Sequence, residues 1–599
     1  MKEKIIKSLA KVTGIPETEI HLDVPEREEF GDYSSNIAMQ LFSNAKNKEH
    51  NTPYTIHNSP SELAKEIISK LKADKELEKI IEKFDIAEPG FINFWLKNDA
   101  LLSNLIQIDR ESENYGKSDN GKGKTVVIDY SSPNIAKRFS IGHLRSTIIG
   151  QALYNLYSFT GWKTIGDNHL GDWGTQFGVL IYMVENKSLD SSKLTVEDWE
   201  KLYVEFHEKL ESDPDLKDQA RNAFKRLEEG DTYARKIWKD AYDTSLLEYE
   251  RIYIRLNVKI DFAYGESFYE DKMSEAIQLA QEKNVVVKSD NALVVEFDKK
   301  YNLPSNLLVK SNGTTTYLTR DLALMLFRKH EWNPDLQIFE VGADQKLYFQ
   351  QVFALAEMVG LFKLDQLKHV AHGMIRFKEG KMSTRKGKTI KLEDVLNEAR
   401  DRAAKIVEKQ EGSRGMTDRN KKGVAETVGM GAVKYFDLMH HPTTDIIFEW
   451  EKMFVLQGNS GPYLQYTYAR TQSVLRKVKY NSYKDYNSYK DYNEEELSLL
   501  RTFVHFSESI ENAAKNYSPN LLCNYLYDLA SKFNLFYDRH RIIDSVTSNQ
   551  LPVDGRYENS LATGYRLPAT GFRLALTFAT GQILKNGLNL LGIQAPERM

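Results

Sequence analysis

Two segments of this chain combine residue types that handle phosphate. The first is SSPNIAKRFSIGHLRST, residues 131–147, which follows the apolar run Val126-Val127-Ile128 and leads into a helical pattern from about Ile141 to Phe159. At a helix start, unpaired backbone N–H groups and the positive end of the helix dipole attract phosphate. Gly142 lets a nucleotide approach the backbone because no Cβ intervenes. His143 can donate to a phosphate oxygen as charge builds up, and Lys137 adds a cation on the same loop. Read alone, the segment is equally an ordinary strand-to-helix turn with a histidine facing solvent. The second segment is EGKMSTRKGKT, residues 379–389, where Lys381, Arg385, Lys386 and Lys388 lie among small and polar residues. Such a loop can close over a triphosphate and neutralise the leaving pyrophosphate. By composition it is also a solvated basic turn. The two occur in one chain in this order, about 240 residues apart.

The elements that must position them read as follows. A strand buried on both faces, then a loop, then a helix, is the opening unit of a doubly wound parallel α/β sheet. Strand-like runs return at Val285-Val286-Val287, Leu293-Val294-Val295 and Gln337-Ile338-Phe339. Residues 191–290 are charged and mostly helical in pattern, which suggests an insertion. The first 112 residues hold short helices and the strand after Pro89-Gly90, a small α+β domain. Residues 113–124, ENYGKSDNGKGK, have no aliphatic side chain and read as a linker. Beyond about residue 395 helical periodicity dominates. We expect a catalytic domain over 113–395, a connecting helical region over 396–455 and an all-α bundle over 456–599. The hexapeptide NSYKDY at 481–486 is repeated at 487–492, a polar duplication with no core to bury.

Composition bounds the rest. A chain of 599 residues exceeds one hydrophobic core. It has 41% hydrophobic and 28% charged residues, so it folds rather than staying solvated. No apolar run reaches the roughly 18 residues of a membrane span, and the start lacks a signal-peptide pattern. One cysteine, Cys523, excludes an internal disulfide and a Cys-rich zinc site and fits a reducing cytoplasm. The thirteen histidines show no metal-ligand spacing, so neither zinc nor any other metal site is expected. A net charge of −4 neither demands nor forbids a nucleic acid.

With both phosphate segments in hand, the chain resembles the class I aminoacyl-tRNA synthetases, whose paired signatures read HIGH and KMSKS. Within that class it looks like the arginyl-tRNA synthetases, on FGDYSSN from Phe30, DYSSPNIAK from Asp129, NHLGDWGTQFG from Asn168, YLTRD from Tyr317, GADQK from Gly342, MSTRKG from Met382 and GPYLQY from Gly461. The resemblance implies a Rossmann-like catalytic domain and ATP-dependent ligation of L-arginine to tRNA through arginyl-adenylate, with AMP and diphosphate released. It implies ATP with Mg²⁺ as substrate complex, a monomer, and no membrane partner. By resemblance Lys137, Ser140, Gly142, His143, Lys381, Met382, Ser383 and Arg385 serve the phosphates. Tyr317 and Asp321 bind the guanidinium, Asp129 and Asn134 hold the α-amino end, and Gln345 and His169 lie nearby, with Gln176 lining the same cleft. A planar cation with five fixed donors suits a forked carboxylate, and an ammonium would leave one acceptor poorly paired.

Two positions depart from the family pattern. Ser140 stands at the first histidine of HIGH, where a hydroxyl can bond phosphate but carries no charge. Thr384 replaces the second lysine of KMSKS, a loss that Lys137 and Arg385-Lys386 are expected to offset. For RNA, the resemblance points to Phe91 and Asn93 in the N-terminal domain as a ring beside an amide. In the anticodon-binding bundle it points to Tyr463, Tyr466 and Met599. Aromatics at helical spacing are also ordinary core residues. Two other readings stay open at this stage: a catalytically weakened tRNA-binding relative of the same fold, suggested by Ser140, and a class I enzyme for lysine.

Overall fold

The computed structural model describes residues 1–25, 27–47, 58–377, 391–478, 489–543 and 567–599. The basic segment at 379–389, with Lys381, Met382, Ser383 and Arg385, lies outside the described residues, as does most of the hexapeptide duplication.

The chain divides into two units. One comprises Met1–Tyr115, Val474–Phe506 and Leu529–Ile583. Its sheet is antiparallel, with β1 (Tyr33–Ser35), β2 (Ile81–Ala87) and β3 (Phe91–Leu96) in the order β1-β3-β2. Asp32 is buried there. It accepts from the Leu96 N–H at 2.7 Å and pairs with Arg501 at 3.2 Å, which ties N-terminal sheet and bundle helix into one body. Tyr115 does the same, its hydroxyl reaching Asn104 Oδ1 and Phe503 O, each at 3.0 Å.

The other unit comprises Gly116–Ser473, Ser507–Asp528 and Leu584–Met599. Its centre is a parallel sheet of β4 (Thr125–Asp129), β5 (Lys163–Asp167), β9 (Leu336–Gly342) and β10 (Leu367–His372) in the order β10-β9-β4-β5. Val126, Val127 and Ile128 are wholly buried, as expected of a strand covered on both faces. The helix after β4 is α1 (Leu144–Phe159). It packs so closely on the strand end that a Cβ at Gly150 would sit 2.3 Å from Tyr130. Arg145 on α1 is buried and ties the helix to Asp437 at 3.1 Å and to Gly373 O at 2.9 Å.

Residues 116–124 are not a free linker. Gly121 donates to Thr160 O at 2.8 Å, and a Cβ there would collide with the Trp162 ring, so packing fixes a stretch whose composition reads as flexible.

After α2 (Thr175–Asn186), the 191–290 insertion is helical through α3 (Val196–Leu210), α4 (Leu216–Glu228) and α5 (Thr232–Arg255). Of the strand-like runs after it, Gln337-Ile338-Phe339 lies in β9 of the parallel sheet, but those at 285–287 and 293–295 do not join it. β6 (Val286–Ser289), β7 (Ala292–Val295) and β8 (Asn306–Val309) form a separate antiparallel sheet. The turn decides this: Asp290 and Asn291 both have positive φ, 48° and 64°, which matches a tight hairpin. Then come α6 (Tyr317–Glu331), a short pair β11 (Ile375–Phe377) and β12 (Ile446–Phe448), and α7 (Asp418–Leu438). His440 bonds Phe436 O at 2.7 Å just past the end of α7, the expected helix end. The bundle helices are α8 (Gly461–Val478), α9 (Asn520–Arg539) and α10 (Leu567–Leu590). Cys523 on α9 is fully buried, and burial pushes its thiol well above the usual range.

Among the described residues no helix is long and apolar enough to cross a membrane.

Candidate active site

The carboxyl ends of β4, β5 and β9 bring Asp129, Asp167 and the Ala343–Gln345 turn to one edge of the parallel sheet, where such folds bind ligands. Gln345 is exposed there. The loop from Tyr130 to Ser140 leaves β4 in a strained course, with Ser131, Ser132 and Ala136 at φ 78°, 46° and 63°.

Where the loop meets the helix, Ser140 and His143 cap each other. His143 Nδ1 accepts from the Ser140 N–H at 3.2 Å and faces Ser140 Oγ at 3.1 Å. With Nδ1 accepting, the proton sits on Nε2. Burial pushes His143 down to about 4, so the ring is neutral near pH 7. The Ser140 hydroxyl is thus turned to the histidine. Lys137 Nζ stands 5.1 Å over the Tyr203 ring of α3.

Arg328, near the end of α6, is wholly buried. It donates to Asp129 Oδ2 at 2.6 Å and Asp167 Oδ2 at 2.8 Å. Burial opposes its charge, but the two carboxylates more than offset that and keep the guanidinium protonated. Asp129 therefore has one oxygen committed to an internal arginine; its other oxygen accepts from Ser132 Oγ at 3.2 Å.

A second group of acids has no such partner. Asp321, one turn into α6 from Tyr317, accepts from the Tyr348 hydroxyl, and burial pushes its carboxyl up. Glu266 is pushed up to about 7, by burial first, with His169 and Arg320 opposing. Its Oε2 is buried without a hydrogen-bond partner. Among the described residues neither acid forms a salt bridge with Lys or Arg. His169 lies among these acids, its Nδ1 bonded to Tyr264 O at 3.2 Å, so that nitrogen carries a proton. Glu266, Asn134, Gln176, Tyr203, Arg221 and Tyr317 line a cavity of about 480 Å³. Tyr317 is 65% exposed at its mouth. Gly171 is required beside Asn134, because a Cβ would stand 2.1 Å from Asn134 Oδ1.

The structure thus gathers Asp129, Asn134, Lys137, Ser140, Gly142, His143, His169, Tyr317, Asp321 and Gln345 in the unit built on the parallel sheet. Arg328, Glu266 and Tyr348 escaped the sequence reading. In LFRKHEW, Arg328 looks like an exposed cation near a helix end, and Glu266 sits in an aromatic stretch without a motif.

The RNA candidates divide by exposure. Phe91 is 38% exposed, whereas Asn93 is buried with its Oδ1 unpartnered. Tyr463 packs on Tyr527 with ring centres 5.9 Å apart. Tyr466 leans on an apolar cluster that includes Val407, Val428 and Met599, and Arg470 lies 5.1 Å over its ring. Met599 is itself buried, so its side chain belongs to that cluster.

Among the described residues no group of three or more His, Cys, Asp or Glu side chains could hold a metal ion.

Comparison with known proteins gives three family matches. Residues 104–450 match the model of the catalytic domain of class I (R) tRNA synthetases. Residues 1–96 match the arginyl tRNA synthetase N-terminal domain, and 464–599 the DALR anticodon binding domain. The arginine–tRNA ligase of Clostridioides difficile (strain 630) is 38% identical over 604 residues, covering 100% of this chain and 98% of the relative. That of Fusobacterium nucleatum subsp. nucleatum is 40% identical over 586 residues, covering 97% and 95%. Among solved structures, Plasmodium falciparum arginyl-tRNA synthetase matches with TM-score 0.80 at 24% identity, covering 100% of this chain and 98% of that one. The Thermus thermophilus enzyme matches with TM-score 0.79 at 23% identity, covering 100% of both. At that identity the two structures speak for the fold.

Proposed function

The chain belongs to the arginyl-tRNA synthetases, ATP-dependent ligases that attach L-arginine to tRNA, and from that membership we propose which of its residues do the work. In the first step the arginine carboxylate attacks the α-phosphorus of ATP and pyrophosphate leaves, giving arginyl-adenylate. In the second a ribose hydroxyl of the terminal adenosine attacks the activated carbonyl and AMP leaves. Neither step needs a protein nucleophile; positioning and stabilisation of phosphate charge suffice.

The substrate guanidinium docks between Asp321 and Glu266, with Tyr317 closing over it. The observation that carries this reading is the unpartnered, buried Oε2 of Glu266 beside an acid that has no cation. Asp129, through the oxygen not held by Arg328, and Asn134 receive the α-amino end; His169 and Gln345 flank it. His143 donates from Nε2 to a phosphate oxygen, aided by Lys137 and the backbone at Gly142. Ser140 acts by setting the tautomer of His143. Lys381, Met382, Ser383 and Arg385 serve the leaving pyrophosphate, on the strength of the KMSTR motif alone. Mg²⁺ enters with ATP and supplies charge neutralisation on its phosphates.

Residues 1–112 and 456–599 are the RNA-reading parts. Phe91 and the accessible faces of Tyr463 and Tyr466 make contact, while buried Asn93 and Met599 hold their surroundings in shape. We take the enzyme to act as a cytoplasmic monomer, in keeping with a single buried cysteine.

The test is arginine-dependent exchange of pyrophosphate into ATP, run with and without tRNA(Arg). Exchange supported by arginine and not by lysine is expected. Exchange supported by lysine alone, or by neither, would sink the pocket assignment.

A further inference from the structure

One face of α5 carries Ser245, Tyr249 and Tyr253, four residues apart, so that the three hydroxyls stand in a row. Each reaches the strained loop after β4. The Ala136 N–H donates to Ser245 Oγ at 2.9 Å. The Tyr249 O–H is shared between Asn134 O at 2.6 Å and Lys137 O at 2.8 Å. The Tyr253 hydroxyl meets Ser131 Oγ at 2.8 Å and accepts from Asn168 Nδ2 at 3.0 Å. Phe139 packs edge-on against Tyr249, Tyr253 and His143, with ring centres 5.4, 5.7 and 5.2 Å apart. The row therefore grips the loop at both left-handed ends, Ser131 and Ala136, and is joined through one ring to the histidine.

Three non-glycine residues at positive φ within six positions will not hold their course unaided, since each costs free energy that the surroundings must supply. The hydroxyl row is what lies against them. We propose that α5 is a splint for the nucleotide loop, and that Tyr249 and Tyr253 are positioning residues for arginine activation. They touch backbone and side chains of the loop and act on ATP only through its shape. The inference rests on the assignment of residues 131–143 to the nucleotide site.

The experiment compares the full-length Tyr249→Phe/Tyr253→Phe variant with wild type in arginine-dependent pyrophosphate exchange with tRNA present, alongside thermal unfolding. Phenylalanine keeps the rings and removes the hydroxyls. Tyr115→Phe, which also removes a hydroxyl that bonds two partners, is the control for plain loss of stability. The double variant is expected to lose at least about tenfold in kcat while its Tm falls no further than that of the control. If its kcat stays within about twofold of wild type while His143→Ala abolishes exchange, the splint is wrong and the nucleotide site stands. If His143→Ala leaves exchange intact, the site assignment fails and the splint falls with it. Should the double variant not fold, Tyr253→Phe alone is judged by the same criteria. A further arm separates positioning from bulk stability. Ala136→Gly adopts the φ of 63° without a Cβ penalty, so in the Tyr249→Phe background it should restore part of the lost kcat. No restoration there would overturn the strain-holding role.

Discussion

Two pairs of acids stand in the unit built on the parallel sheet, one fully buried and one half-buried, and they differ in their cations. Asp129 and Asp167 enclose the guanidinium of Arg328, whereas Asp321 and Glu266 enclose none. The first pair holds its cation, a desolvated arginine side chain between two carboxylates, although Arg328 Nη1 and Asp167 Oδ1 stay unpartnered. In the second pair no Lys or Arg among the described residues bridges the carboxyls, and burial pushes both up, as it does Asp167. The difference teaches what the pocket selects. Two half-buried acids without a salt-bridge partner among the described residues suit a planar cation that can donate to both. The internal arginine shows, a short distance along the same helix, the kind of occupant those acids accept.

The comparison can be broken at its closed end first. Arg328→Met leaves two acids buried without a cation and should destabilise the fold by about 3–5 kcal/mol, read by urea unfolding. A loss below about 1 kcal/mol would mean that the pair tolerates vacancy, and the contrast would lose its meaning. At the open end, Asp321→Asn should lower kcat/KM for arginine on the order of 10³-fold with little change in Tm. An equal loss for ATP at saturating arginine would instead place Asp321 outside the pocket.

The smallest effect sharpens the contrast by pH. In the free protein the Glu266 carboxyl, raised to about 7, keeps a proton that the unfolded chain has already released. Its contribution to stability therefore falls as pH rises from the ordinary carboxylate range through about 7. A bound guanidinium favours the ionised form, so the KM for arginine should fall a few-fold between about pH 6 and pH 8, and the Tm gain with arginine should grow. Glu266→Gln should flatten both profiles. A profile unchanged by that substitution assigns the titration elsewhere.

Much of this was legible in the residues. The parallel strand, the loop and the helix at 141–159 follow from an apolar run, a polar break and 3.6-residue spacing. The four-residue spacing of Tyr317 and Asp321 puts them on one side of a helical turn, and their role comes from the resemblance of YLTRD to the family. What escaped depends on contacts distant in sequence. Arg328 meets Asp129 and Asp167 across 199 and 161 positions, and nothing in its own neighbourhood distinguishes it from a surface cation. Glu266 gains its raised value from burial, which no local pattern announces. The stretch 116–124 reads as flexible from its composition, yet Gly121 is fixed by Trp162, a partner 41 positions on. Ser140 reads as a weakened phosphate ligand because a hydroxyl can bond phosphate but carries no charge. The cap geometry turns it to His143 instead.

Cys523 has a use outside the reaction. The chain's single thiol is wholly buried on α9 and held protonated, so it is slow toward electrophiles in the folded enzyme. A cysteine introduced at an exposed position such as Val204 on α3 would then be the one fast-reacting group, with no background substitution required. A single fluorophore or spin label placed there could report on the motion of α3 during turnover, and a second introduced cysteine would add a distance.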